Sequence, residues 1–229
     1  MLKELQLSRN SLSGSLPDSI LENVQGLETI DLSNNRLTGT MVDRFFQLSS
    51  LKSLNLQNNK FNGTIPEFEE VRNSPSLQEV LLDNNQLVGR VPITLFGSAI
   101  NLSVLSLSAN LLTGTLPGRQ IEQLSSLRVL NLDDNLFEGT IPAEIGAMSS
   151  LRRFSMYFNI IRGVIPTEIG LLSRLQHVDL GANNISGLLP NQLSQLTSLR
   201  FLSVQGSRSI RGAIPSGLAT LPALGENIM

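Results

Sequence analysis

The sequence predicts a repeat solenoid, a fold of short parallel strands stacked layer upon layer. The 229-residue chain repeats one Leu-containing unit of about 24 residues along nearly its whole length. The sequence has nine Phe, one Tyr and no Trp, whereas Leu is abundant. A core built mainly from Leu suggests regular layers of similar shape. We expect a single domain over residues 1–229. Its nine repeats begin at Leu2, Leu27, Leu51, Leu77, Leu102, Leu127, Leu151, Leu175 and Leu199.

Apolar residues at positions 4 and 6 of each repeat alternate with polar neighbours. Leu54 and Leu56 follow this pattern, as do Leu130 and Leu132. A period of two residues is typical of a strand with one buried face. The pattern therefore predicts one strand per repeat, centred on positions 3 to 6, and no long helix.

Position 9 is Asn in eight repeats. A carboxamide both donates and accepts hydrogen bonds, so stacked Asn side chains can satisfy the backbone groups left where each strand turns away. Burial without such partners would be costly. We therefore expect a structural ladder. Its members are Asn10, Asn35, Asn59, Asn85, Asn110, Asn135, Asn159 and Asn183.

A glycine at position 13 and a proline three residues later recur in the second half of the repeat. The glycine suits a turn with positive φ, and the proline suits the start of a short helical turn. Repeat 2 has Val42 in place of the proline. The glycines are Gly14, Gly39, Gly63, Gly89, Gly114, Gly139, Gly163 and Gly187, with Gly212 as a shifted equivalent.

The consensus L-x-x-L-x-L-x-x-N-x-L-x-G-x-I-P resembles the plant-type leucine-rich repeat family over nearly the whole chain. This resemblance implies an α/β-type solenoid, a right-handed horseshoe with a concave parallel sheet and short 3₁₀ or α turns on its convex side. Such repeats are known from ectodomains of receptor-like kinases and receptor-like proteins, and from polygalacturonase-inhibiting proteins.

The chain departs from that family at its ends. The plant ectodomains usually carry paired-cysteine caps, whereas this sequence has no cysteine and no recognisable cap. We interpret it as a fragment of a longer protein, or alternatively as a weakly capped solenoid. Because uncapped apolar layers favour association, self-association through the ends is expected. The residues concerned are Leu2, Leu5 and Leu7 at one end and Leu221, Leu224 and Ile228 at the other.

Several function classes find no support in the composition. A net charge of −2 gives no electrostatic footprint for nucleic acid, and no apolar run is long enough to span a membrane. No cofactor or metal motif is present, so we expect neither cofactor nor metal. Ser155, His177 and Asp179 share one predicted face, but an open strand face offers no oxyanion hole, and we predict no enzyme.

The candidate binding residues lie on the concave face of repeats 6 to 9. Exposed aromatic rings with arginine are typical of interface hot spots. We expect two aspartates to orient the guanidinium of Arg153, and we expect Phe158 to pack against its neighbour. The alternative is a solvated surface, with the true binding site on repeats outside this sequence. The candidates are Arg153, Tyr157, His177, Phe201, Asp133 and Asp179.

We therefore expect a non-catalytic module that recognises a protein or peptide, as part of a receptor-like cell-surface protein. An alternative is a secreted inhibitor of a cell-wall-degrading enzyme, and another is an intracellular structural scaffold. The sequence contains no recognisable targeting signal, and only the resemblance favours an extracellular location.

Overall fold

The computed structural model describes residues 2–22, 24–67, 76–97 and 101–222. It is a right-handed solenoid in which each turn consists of one repeat. Each repeat runs from a strand on the concave sheet to a second strand on the flank, and most described repeats then enter a short helical turn on the convex side. The predicted fold class is confirmed.

The concave sheet contains one strand from each repeat, and the strands follow one another in sequence order. All pairs are parallel and equivalent positions pair, so that Arg153 lies beside His177, which in turn lies beside Phe201. Side chains at the same repeat position therefore form columns across the sheet. The concave strands are Glu4–Gln6, Thr29–Asp31, Ser53–Asn55, Glu79–Leu81, Val104–Ser106, Val129–Asn131, Arg153–Ser155, His177–Asp179 and Phe201–Ser203.

The core lies between the concave sheet and the convex turns. In repeat 6, Leu127, Leu130 and Leu132 are fully buried, as the alternating pattern predicted. Phe137 from the flank and Ile145 from the convex turn complete the same layer. A single repeat cannot enclose such a layer, so its stability comes from stacking on its neighbours.

The flank carries a second strand in each repeat, so the prediction of one strand per repeat was incomplete. The chain stays extended after the position-9 Asn and pairs with the next repeat, where the Arg36 amide donates to the Leu12 carbonyl at 2.7 Å. This segment after the Asn contributes only one buried apolar residue per repeat. A single apolar position shows no alternation, so the sequence pattern did not predict a strand there. Six strands form one sheet: Ser13–Ser15, Arg36–Thr40, Lys60–Gly63, Gln86–Arg90, Leu111–Gly114 and Leu136–Phe137. Three form another: Arg162–Gly163, Asn184–Gly187 and Ser209–Ile210.

The convex side consists of helical turns of four or five residues, and none of the described turns is longer. Most follow the repeat proline directly, as Thr167–Leu171 follows Pro166. The 3₁₀ turns are Asp18–Leu21, Asp43–Gln47, Ala143–Ala147, Thr167–Leu171, Asn191–Gln195 and Ser216–Thr220, and the α-helical turns are Ile93–Gly97 and Gly118–Ile121. Within the described residues, no helix has the length and apolarity needed to cross a membrane.

The predicted Asn ladder joins consecutive repeats. The Asn110 amide donates to the Leu82 carbonyl of the preceding repeat at 3.0 Å and to its own Leu107 carbonyl at 3.1 Å. Its carbonyl oxygen accepts from the Leu87 amide at 3.0 Å. In repeat 9, Ser207 occupies this position, and its buried hydroxyl has no hydrogen-bond partner among the described residues.

The first repeat exposes apolar side chains at positions that are buried elsewhere. Leu2 is 50% exposed and Leu7 is 37% exposed, whereas Leu5 is partly buried against the core. At the other end Leu221 is buried. The remaining residues expected there, Leu224 and Ile228, lie outside the described residues.

Candidate functional site

Five of the six predicted site residues lie in two columns of the concave face, at repeat positions 3 and 7, and Asp179 lies at position 5 between them. Position 3 of repeats 7 to 9 places Arg153, His177 and Phe201 side by side. The imidazole of His177 stacks on the ring of Phe201, with centroids 4.3 Å apart and planes 7° apart. Tyr157, from position 7 of repeat 7, is 43% exposed at the end of the same face. The face therefore presents a row of one guanidinium and two stacked rings at position 3, and a further exposed ring at position 7.

The Asp133 carboxylate is occupied by the next repeat. Its Oδ1 accepts from the Ser155 hydroxyl at 2.5 Å and from the Tyr157 backbone amide at 2.7 Å. Burial raises the pKa of Asp133 above its ordinary value, against the effect of these two hydrogen bonds and of the Arg153 charge. Asp133 therefore fixes the backbone that presents Tyr157.

Direct clamping of Arg153 between two aspartates is not observed. In the described part of the chain, its guanidinium has no ion pair within 4 Å. Asp133 is engaged as above, and Asp179 accepts from the Gly181 amide at 3.0 Å through Oδ1. Arg153 interacts with Asp133 through its charge alone. Its donors therefore remain available to a partner.

A second aspartate with the same geometry was not singled out from the sequence. Asp83 Oδ1 accepts from the Ser106 hydroxyl at 2.6 Å and from the Ser108 amide at 2.9 Å. In both cases an Asp at position 7 faces a Ser at position 5 of the following repeat, 22 or 23 residues later. That spacing is visible in the sequence and is the signal that could have identified these two hydrogen-bonded acids.

His177 is surrounded in a way that disfavours its charged form. Partial burial lowers its pKa below the ordinary value, the charge of Arg153 lowers it further, and Asp179 acts in the opposite direction. Ser155 is fully buried and donates to Asp133. Two of the three residues considered for a nucleophilic triad are thus engaged elsewhere: Ser155 donates to Asp133, and Asp179 accepts from the Gly181 amide just after its strand.

Position 2 of the first three repeats carries an ion-pair cluster. Glu28 accepts from Lys3 and from Lys52, the latter at 2.7 Å. These hydrogen bonds lower the pKa of Glu28 to about 2. Over the described ranges, no group of three or more His, Asp or Glu side chains is placed to hold a metal ion.

Stacked repeats that form an open parallel sheet, with equivalent side chains aligned in columns, are the architecture of leucine-rich repeat proteins. The Leucine rich repeat family model matches residues 1–61 and 75–137, more than half of the chain, and a second Leucine Rich Repeat model matches residues 174–196. The chain belongs to the leucine-rich repeat family.

The relatives include plant receptor-like proteins and receptor-like kinases. The chain is 34% identical over 107 residues to Receptor-like protein 18 of Arabidopsis thaliana, an alignment that covers 47% of this chain and 12% of that protein. It is 37% identical over 107 residues to Receptor-like protein 43 of the same plant, covering 47% of this chain and 14% of that protein. The chain therefore aligns with only a small part of these relatives.

Solved structures of plant receptor ectodomains share the fold. The GASSHO1/SCHENGEN3 ectodomain of Arabidopsis thaliana, solved with CASPARIAN STRIP INTEGRITY FACTOR 2, matches 97% of this chain and 26% of its own with a TM-score of 0.89 and 34% identity. The Arabidopsis receptor kinase HAESA, solved with the peptide hormone IDA and the co-receptor SERK1, matches 97% of this chain and 40% of its own with a TM-score of 0.79 and 28% identity.

Proposed function

We propose that this chain is a non-catalytic recognition module for a protein or peptide ligand, within a receptor-like protein of the cell surface. The observation that carries the proposal is the row formed by Arg153 and the stacked rings of His177 and Phe201, with the exposed ring of Tyr157 at position 7 of the same face. Binding to side chains on a rigid sheet costs little conformational entropy, because the backbone that presents them is already ordered.

The charge of this face indicates the chemistry of the ligand. Arg152 and Arg200 lie exposed at position 2 beside the row, and Arg153 has donors free of direct ion pairs in the described chain. Asp133 is half-buried and hydrogen-bonded. The face therefore suits a polypeptide that combines carboxylates with apolar or aromatic side chains. The receptor kinase HAESA, which shares this fold, was solved with the peptide hormone IDA, and that ligand belongs to the same class.

The proposal is tested by selecting binders from a random-peptide phage library with the 229-residue chain as bait. The synthesised peptides are then titrated by calorimetry against Arg153→Ala and Tyr157→Ala. Each variant should lose about 2 kcal/mol or more, roughly 30-fold in Kd, as hot-spot residues do.

The matched control is Gln57→Ala, which occupies position 7 of repeat 3, the equivalent of Tyr157. It should bind like the parent chain. Peptides that bind both site variants as tightly as the parent, with circular dichroism unchanged, would remove this face from consideration.

A further inference from the structure

Phe158 occupies a backbone position that suits it poorly. Position 8 has a positive φ in every repeat, because the chain turns there from the concave strand into the Asn ladder. Asn, Asp and Gly tolerate this left-handed conformation, whereas a bulky side chain is an outlier. Phe158 has a φ of 54°. The position-8 residues are Arg9, Asn34, Asn58, Asn84, Ala109, Asp134, Phe158, Ala182 and Gly206.

Packing gives little in return for that backbone cost. The Phe158 side chain is 57% exposed, and its ring lies 6.2 Å from that of Tyr157 at an angle of 36°. By contrast, Phe137 and Phe154 in the adjacent core layers are buried. Phe158 does contact its neighbour as the sequence predicted, but more than half of its surface remains exposed.

The surroundings of Phe158 connect the concave face to an exposed apolar strip on the flank. Ile160, two residues further on, lies at position 10 and is exposed, as are Leu136 and Leu111 at position 10 of the two preceding repeats. Position 10 is polar in five other repeats. Those residues are Ser11, Arg36, Lys60, Gln86 and Asn184. At position 10, exposed apolar side chains thus occur in repeats 5 to 7, the repeats that lead to Phe158.

We infer that Phe158 is a binding residue, which anchors an apolar side chain of the polypeptide ligand where it crosses from the concave face onto the flank. Acidic groups of the same ligand meet Arg153 and Arg152 in the same repeat. This inference rests on the proposed function, because one ligand occupies both the concave row and the Phe158 rim. The Phe158 contact is additional to those of the concave row, because neither the charge of that face nor its aligned side-chain columns includes Phe158.

The test replaces the ring with a residue suited to the backbone. Phe158→Asn is titrated with the peptides selected on the parent chain, and its melting temperature is measured in parallel. We expect at least about a 10-fold loss in affinity, with a Tm no more than about 2 °C below that of the parent, because the relieved backbone offsets the small buried part of the ring. The control, Ala182→Asn, makes the equivalent change one repeat further on and should keep full affinity.

The outcomes separate this inference from the proposed function. Peptides that depend on Arg153 and Tyr157 but bind Phe158→Asn normally would overturn the inference and leave the proposed function standing. A large drop in Tm for Phe158→Asn alone would make the ring structural and would also overturn it. If the library yields no peptide that depends on Arg153 or Tyr157, both ideas are contradicted.

Discussion

The ring of His177 lies parallel to that of Phe201, with 4.3 Å between their centroids, on adjacent strands of the concave sheet. The stack brings together two residues 24 positions apart in the sequence, because equivalent repeat positions pair in register. It also withdraws one face of the imidazole from water. The consequence is a histidine that is neutral at pH values where an exposed one would begin to gain charge.

The first prediction concerns the protonation of His177. Its pKa should lie below the ordinary 6.5, first because of burial and then because of Arg153. The unfolded chain therefore binds more protons between the two pKa values, so this residue's contribution to stability is present above pH 6.5 and is lost as the pH falls below it. Since the chain has one histidine, its ring resonance can be followed by NMR titration without ambiguity.

Two variants check the cause of that shift. Arg153→Gln should raise the pKa of His177 and Asp179→Asn should lower it further, because the charges of these residues act in opposite directions. A His177 that titrates at or above 6.5 in the parent chain, compared with the urea-unfolded chain as reference, would contradict the assignment.

The second prediction concerns the Asn ladder. Asn110→Ala should lower the free energy of unfolding by about 1–3 kcal/mol, because it leaves buried backbone groups of two repeats unsatisfied. Asn10→Ala is the matched control, since Asn10 is exposed and donates only to carbonyls of its own repeat. A urea titration in which both variants unfold alike would show that the inter-repeat bonds add no stability.

The third prediction concerns the glycine column. A Cβ at Gly139, where φ is 81°, would come within 2.7 Å of Thr115 Cγ2, whereas at Gly14, with a φ of 87°, it would meet nothing within 4 Å. Gly14→Ala should therefore cost only the left-handed backbone penalty, about 1–2 kcal/mol. Gly139→Ala should cost at least about 1 kcal/mol more, because Thr115 must shift. Equal losses in a urea titration would mean that the contact between the repeats is relieved freely.

The fourth prediction concerns the first repeat. Because Leu2, Leu7 and Leu12 are exposed, the isolated 229-residue chain should self-associate, with a concentration-dependent mass in analytical ultracentrifugation. Leu7→Glu should shift the distribution towards monomer. Leu188→Glu, which changes an exposed leucine on the flank, should not. A monodisperse parent at high concentration, with slow amide exchange in repeat 1, would count against association through this end.

The recurrent spacing of Leu, Asn, Gly and Pro by itself determined the repeat boundaries, the concave strands and the buried layers, because each position has one physical role that recurs about every 24 residues. Leu130, Asn110 and Gly139 could be assigned without coordinates. The stacking of the columns also placed Arg153, His177 and Phe201 side by side, since in-register pairing follows from the repeat.

Only the tertiary structure decided how those side chains use their donors and acceptors. Asp133 binds the following repeat rather than Arg153, because the Ser155 hydroxyl and the Tyr157 amide lie closer and burial favours their hydrogen bonds over a distant charge. The exposure of Phe158 could not be predicted from the sequence either. A repeat position fixes the backbone φ but does not decide whether a neighbouring repeat covers the ring. Contacts between repeats depend on the shape of unlike side chains in adjacent turns, and a one-dimensional pattern does not specify that shape.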